Sequence, residues 1–265
     1  MLLDTPRFEF GENWARFIRT LDEPQIDAAI KSLQNMLELD DLAGRSFLDI
    51  GSGSGLFSLA ARRLGATVYS FDYDPASVAC TLELKKTYFP DDSDWTVTQG
   101  SALDDSFLSS LSRYDVVYSW GVLHHTGNMW PALENVVRLC KPGGLLFLSI
   151  YNDQGAISNR WRTVKKLYNR SPRPGKTAIV VAVGVYFVLR RVVDMTARLE
   201  NPFAVGQPGR GMTWWRDLVD WVGGYPFEVA RPEEIFDFYK ARGFTLTRLK
   251  TTRRHGCNEF VFRNR

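Results

Sequence analysis

The nine residues FLDIGSGSG, 47–55, limit this chain more than any other stretch. Phe47, Leu48 and Ile50 are apolar, Asp49 sits among them, and Gly51, Gly53 and Gly55 follow at alternate positions. Such a run reads as a buried strand that turns sharply into a helix. Glycines let the backbone bend there and let a ligand come close without a side chain in the way. The following helix carries Leu56, Leu59, Ala60 and Leu64 on one face, and Gly65 stops it. A nucleoside triphosphate site needs GxxxxGK(S/T), but no lysine or arginine occurs between Phe47 and Ala61. A dinucleotide site needs GxGxxG, and its third glycine would fall on Leu56 or Ser58. What the stretch does hold is a carboxylate two residues before the first glycine, which suits a ligand with positive charge.

S-adenosylmethionine carries an ammonium, a sulfonium and no phosphate. On these residues the chain resembles the class I S-adenosylmethionine-dependent methyltransferases, whose first motif looks like FLDIGSGSG. A glycine-rich turn in another α/β protein is the alternative. The resemblance implies S-adenosyl-L-methionine as cofactor, S-adenosyl-L-homocysteine as product and no metal. It also implies that Asp49, Gly51, Ser52 and Gly53 shape the methionine end.

Strands and helices alternate strictly from there. Strands are predicted at 46–50, 67–72, 95–100, 114–120 and 145–151, with Lys141–Gly144 as a tight turn before the fifth. Helices follow at 55–64, from Pro75 behind the cap Asp74, at 105–112, and from Pro131. Helical crossovers of this length make a doubly wound parallel sheet. The stretches 243–252 and 258–265 alternate like an antiparallel pair, with His255 in their turn. The expected fold is α/β: a seven-stranded, mostly parallel, doubly wound sheet with a C-terminal antiparallel hairpin and a helical insertion after strand five. The expected division is an N-terminal helical lid at 1–45, a cofactor-binding core at 46–151, an insertion at 152–230 acting as a substrate cap, and a closing helix and hairpin at 231–265.

Ligands of such sheets sit at the carboxyl ends of the strands. Asp72 ends strand two about twenty residues after the glycine turn, where a carboxylate can accept both ribose hydroxyls. Tyr73 offers a ring for the adenine face. The resemblance places the adenine amino group near Ser101 and Ala102. Relatives often have an acid at Ser101, so either its hydroxyl or Asp104 has to serve. Ser119 and Trp120 end strand four, where relatives hold the methionine ammonium on backbone carbonyls. The (D/N)PP(F/Y) of amide and adenine N-methyltransferases is absent there. VLHHT, 122–126, is instead similar to small-molecule methyltransferases, including the ubiquinone-pathway O-methyltransferases. His124 and His125 are the base candidates, because an alcohol or phenol must lose a proton as it is methylated. Of the two, His124 is expected to face the acceptor; a bracing role in the next helix is the alternative for His125.

The insertion has two features. From Arg160 to Arg191 there are nine basic residues and no acid, and AIVVAVGVYFVL, 178–189, is apolar throughout. Twelve residues cannot span a bilayer. The composition favours a buried helix, packed on the sheet or on a second copy in a homodimer. A peripheral membrane contact through 160–191 is the alternative. Trp214, Trp215 and Tyr225 lie beside acids at 217, 220 and 228 and are expected, with Trp14 and Tyr151, to wall an acceptor pocket. The expected partner is a small-molecule acceptor, with oxygen the favoured nucleophile.

A formal charge of +3 gives no call for nucleic acid; only the basic insertion and Arg248, Lys250, Arg253 and Arg254 support that rival. Another is a cofactor-binding scaffold without catalysis. Three scattered cysteines fit a reducing compartment, and the N-terminus has no secretory pattern, so a cytoplasmic protein, membrane-associated in the alternative above, is expected.

Overall fold

The computed structural model describes residues 8, 14, 17–198, 214–252 and 256–265. They fall into two compact units, one of 9–155 with 227–265 and one of 1–8 with 156–226. The larger is the α/β frame. Helix α1 (Glu23–Leu37) is capped by Asp22, whose side chain accepts from the Gln25 backbone. Strand β1 (Ser46–Ile50), helix α2 (Leu56–Arg63), β2 (Thr67–Asp72), α3 (Pro75–Tyr88), β3 (Trp95–Gln99), α4 (Asp105–Ser110) and β4 (Tyr114–Trp120) follow. After a 3₁₀ turn at Leu123–His125 come α5 (Met129–Val137) and β5 (Cys140–Tyr151). Helix α9 (Pro232–Lys240) and strands β6 (Phe244–Lys250) and β7 (Cys257–Asn264) close the frame.

The seven strands run in the order β3-β2-β1-β4-β5-β7-β6. The first five pair in parallel, and β7 runs antiparallel to both β5 and β6. Strand order reverses between β1 and β4, so the crevice of this sheet opens at their carboxyl ends. Both faces of β1 are buried, and its residues alternate between them. Leu48 and Ile50 join Val117, Leu146 and Leu148 in a core covered by Ala132, Leu133, Val136, Ile235 and Tyr239. On the other face Phe47, Phe57 and Phe147 surround Tyr118, with ring centroids 5.8, 5.0 and 5.1 Å from it.

The local differences from expectation have physical causes. Lys141–Gly144 is not a free turn. It lies within β5, where pairing with β4 jumps from Tyr114–Cys140 to Val116–Leu145 and the extra residues bulge. Helix α5 starts two residues before Pro131, so proline occupies its first turn, where its missing N–H is tolerated. Strand β5 meets the chain again at Ala230: Asp153 N–H donates to Ala230 O at 3.1 Å and Ala230 N–H to Tyr151 O at 3.0 Å.

The smaller unit holds α6 (Ala156–Arg170), α7 (Arg173–Arg198) and α8 (Trp214–Gly223). Its core is Tyr168, Val180, Val183, Leu218 and Val222, with Trp161, Phe187 and Trp221 packed around it. Lys165 is buried there. It donates to Trp221 O and lies 4.5 Å from that ring's centroid. The apolar stretch 178–189 is therefore buried on one face only: Val181, Val185, Val188 and Leu189 are 47–61% exposed. Residues 199–213 and 253–255, with the expected turn at His255, Arg253 and Arg254, lie outside the described residues.

Truncating a side chain at the centre of the sheet should cost far more than one at its edge. Leu146→Ala, fully buried on β5, is expected to lose about 2–5 kcal/mol in urea unfolding, and Leu249→Ala, 44% exposed on β6, less than about 1 kcal/mol. Equal losses would refute the assigned core.

Candidate active site

Strand β1 delivers its chain into a turn that only glycine accepts. Gly51 has φ +77°, and a Cβ on it would lie 2.4 Å from Val122 of the loop after β4. The Gly51 and Ser52 N–H groups both donate to Phe71 O on β2, at 2.8 and 3.1 Å, which ties the turn to the neighbouring strand. Gly53 has φ +56°, and a Cβ there would stand 3.2 Å from the Trp14 indole. Trp14 thus packs beside the glycine turn. Ser52 Oγ lies 2.9 Å from Thr81 Oγ1 of α3, so that side chain braces the loop.

Two carboxylates flank the turn. Asp49 is buried on the face of β1 that looks at α2 and accepts from Ser58 Oγ at 2.5 Å. Ser58 Oγ is 2.7 Å from Ser70 Oγ, which accepts from Trp95 Nε1 at 2.9 Å. Indole N–H can only donate, so both hydroxyl protons are directed toward Asp49. Burial pushes the Asp49 carboxyl up to about 7, against the Ser58 bond that favours its charge, and the nearby Asp72 raises it further. Asp72 accepts from Gly53 N–H and Asp74 N–H, each at 2.9 Å. Burial lifts it to about 6 although those N–H groups oppose the shift. Acids held this way, with no ion pair to a cation among the described residues, are matched to a ligand that brings positive charge or hydroxyl donors.

Beyond Asp72 the Tyr73 ring is 59% exposed at the end of β2. Ser101 accepts from Leu103 N–H at 3.1 Å and keeps its own hydroxyl proton to donate. Ala102 is buried beside it, and its carbonyl accepts from Asn135. Asp104 caps α4, with one carboxylate oxygen accepting from Phe107 N–H at 3.1 Å. Ser119 is buried and donates to Ile50 O at 3.1 Å, stitching β4 to β1, whereas Trp120 Nε1 donates to Glu259 on β7 at 3.2 Å.

The two histidines have different surroundings. In the 3₁₀ turn the His124 ring points inward, with centroids 4.1 Å from Tyr151 and 4.5 Å from His125, and has no exposed surface. The expectation that His124 faces the acceptor thus meets a ring with no exposed surface. His125 keeps partial exposure and lies 5.5 Å from Tyr151. Phe227 stands 5.1 Å from Tyr151, and Glu228 N–H donates to His124 O at 3.0 Å. The Glu228 carboxylate accepts from Met129 N–H at 3.1 Å, where it complements the N-terminus of α5 rather than an acceptor. Among the described residues no group of His, Cys, Asp and Glu is arranged to hold a metal ion. Trp214, Trp215 and Tyr225 belong to the helical unit; Trp215 is 46% exposed on α8 and Tyr225 follows that helix.

A profile of the methyltransferase domain matches residues 21–179, more than half of the chain. The chain belongs to the methyltransferase-domain family. A ubiquinone biosynthesis O-methyltransferase of Xanthomonas oryzae pv. oryzae is 32% identical over 112 residues, 42% of this chain and 45% of that relative. The chain thus spans less than half the length of the curated relatives it matches. Among solved structures, the magnesium protoporphyrin IX methyltransferase of Synechocystis PCC 6803 with bound SAH shares the methyltransferase fold (TM-score 0.53, 16% identity, 91% of this chain and 82% of that one). So does the [4+2]-cyclase SpnF (TM-score 0.55, 12% identity, 90% and 80%). These likenesses speak for the fold alone.

Sequence reasoning missed the hydroxyl chain under Asp49. Ser58 sits on the apolar face of α2 between Leu56 and Leu59, and a serine on a buried helix face is the available signal. It also missed Val122, Phe227 and the capping role of Glu228, which depend on contacts distant in sequence.

The Asp49 pKa carries a signed pH dependence. Its native value, about 7, lies above the ordinary 3.8, so folding takes up a proton. The stability this adds is fully present below about pH 4 and is lost as pH rises through about 7. Asp49→Asn keeps an acceptor for Ser58 and removes the titration. Relative to the parent it should gain stability in urea unfolding as pH goes from about 4 to about 8, and parallel pH profiles would count against the assigned shift.

Proposed function

We propose that the chain binds S-adenosyl-L-methionine at the turn after β1 and directs its methyl group to a hydroxyl oxygen of a small-molecule acceptor. The observation that carries this reading is the pair of carboxylates, Asp49 buried and Asp72 half-buried, around a glycine turn without basic residues. A pyrophosphate would be repelled there. An ammonium, a sulfonium and a ribose diol each find a complement. The similarity to ubiquinone biosynthesis O-methyltransferases supports oxygen as the attacking atom.

When bound, the cofactor supplies an electrophilic methyl group on a good leaving group, so the protein contributes mainly position and proton handling. Asp49, aimed by Ser58, holds negative charge at the methionine end. Asp72 accepts the ribose hydroxyls on its remaining lone pairs, and the Gly53 and Asp74 N–H groups favour its charge against its burial. Tyr73 offers its exposed ring to the adenine, and Ser101 donates to an adenine nitrogen. His125, the more exposed of the two histidines, takes the proton that the acceptor hydroxyl sheds. His124 holds the His125 ring in place by packing against it and Tyr151. Tyr151 and Phe227 present aromatic walls beside it, as a flat acceptor requires.

Calorimetric titration with S-adenosylhomocysteine should give saturable heat. Asp72→Ala should weaken that binding by about 10–150-fold, the loss of hydrogen bonds to a charged group. His125→Ala should leave the heat unchanged and lower turnover on a phenolic acceptor by about 100-fold or more. No heat with the parent chain would end the cofactor reading. Binding without methylation of any hydroxylated acceptor would point to a scaffold, or to other chemistry on the same fold.

A further inference from the structure

Helix α7 has one face in the core of its unit and one face outside it. Val180 and Val183 are buried, and Ile179 and Phe187 pack against the same core. On the opposite side Val181, Val185, Val188 and Leu189 follow at helical spacing and are 47%, 53%, 51% and 61% exposed. A stripe of four aliphatic side chains in water is costly unless something covers it. Tyr186 stands next to it, 43% exposed, with its hydroxyl accepting from Arg190 at 2.9 Å. An aromatic body with a polar tip of this kind suits a boundary between oil and water.

Charge narrows the choice of occupant. Between Arg160 and Arg191 the chain has nine basic residues and no acid. Lys165 is internal, but Arg160, Lys166, Arg170 and Arg173 are exposed on α6 and at the start of α7. A second copy of this chain would set that positive charge against itself. A nucleic-acid backbone would satisfy the charge and gain nothing from valine and leucine. An anionic lipid surface answers both, with the acyl boundary for the stripe and headgroups for the arginines and lysines. Length agrees as well. Helix α7 has 26 residues, about 39 Å at about 1.5 Å per residue, and among the described residues no helix is long and apolar enough to cross a membrane. We propose that the α6–α7 pair is a peripheral membrane contact, in which α7 lies in the plane of an anionic bilayer with Val181, Val185, Val188 and Leu189 toward the acyl chains. None of these residues is among those assigned to methyl transfer, so the proposal holds or fails independently of that reading.

The test is flotation of the full chain with vesicles of phosphatidylglycerol and phosphatidylcholine, against vesicles of phosphatidylcholine alone. The chain should float with the anionic vesicles, stay behind with the neutral ones and be released by added salt. Val185→Gln with Leu189→Gln should lower the partition by about tenfold or more, through lost apolar burial. Glutamine is a better helix former than valine and about equal to leucine, and unchanged circular dichroism confirms that α7 persists. Lys166→Gln with Arg170→Gln should weaken binding and flatten its salt dependence. The proposal is overturned if the parent chain does not float with anionic vesicles, or if the stripe variant floats equally well. A concentration-dependent dimer that the stripe variant abolishes, without flotation of the parent, would assign the stripe to a second copy instead.

Discussion

A carboxylate buried under the first strand sets the terms for the frame around it. Asp49 occupies a position that alternation sends into the interior, between β1 and α2, where an unsatisfied charge is prohibitive. The fold answers with a one-way series of donors, from the Trp95 indole through Ser70 and Ser58. That series crosses from β3 over β2 to α2, so the register of three elements and the direction of one acid are mutually dependent. Replacing the acid and its donors with aliphatic side chains would yield an equally good core. Retaining them makes sense where a charged ligand uses the carboxylate.

The same strand end explains why glycine is required beyond it. Val122, from the loop that carries the histidines, packs directly on the Gly51 backbone. The glycine turn and the histidine turn are thus packed together, although Gly51 and Val122 lie 71 positions apart in the chain. The proposed methyl transfer requires such closeness, because reacting atoms must be held within a few ångströms.

Much of the frame was legible in the sequence, because period-two and period-3.6 patterns, capping acids and prolines are local signals. Strands β1, β2 and β4 fall where FLDIG, TVYSFD and YDVVYSW place them. Asp72 could be read off its distance from the glycines. Less legible were features made by tertiary contact. Lys141–Gly144 has turn composition, yet it lies inside β5 as a bulge between the pairs that Cys140 and Leu145 make with β4. Which of two adjacent histidines is buried depends on which way a 3₁₀ turn rotates them, and no local pattern encodes that. The stretch 178–189 looked uniform by composition; only its packing partners divide it into an inner and an outer face.

The backbone pairing of Tyr151 and Asp153 with Ala230 has a wider consequence. It fastens together the two points between which the helical excursion leaves and rejoins the sheet. Closing that loop is already accomplished by the frame's own hydrogen bonds, and the entropy of closure grows only slowly with length. The excursion is therefore a side branch, free to be lengthened, trimmed or exchanged over generations while the strands beneath keep their register. Changes in its length or sequence need not disturb the pairing of those strands.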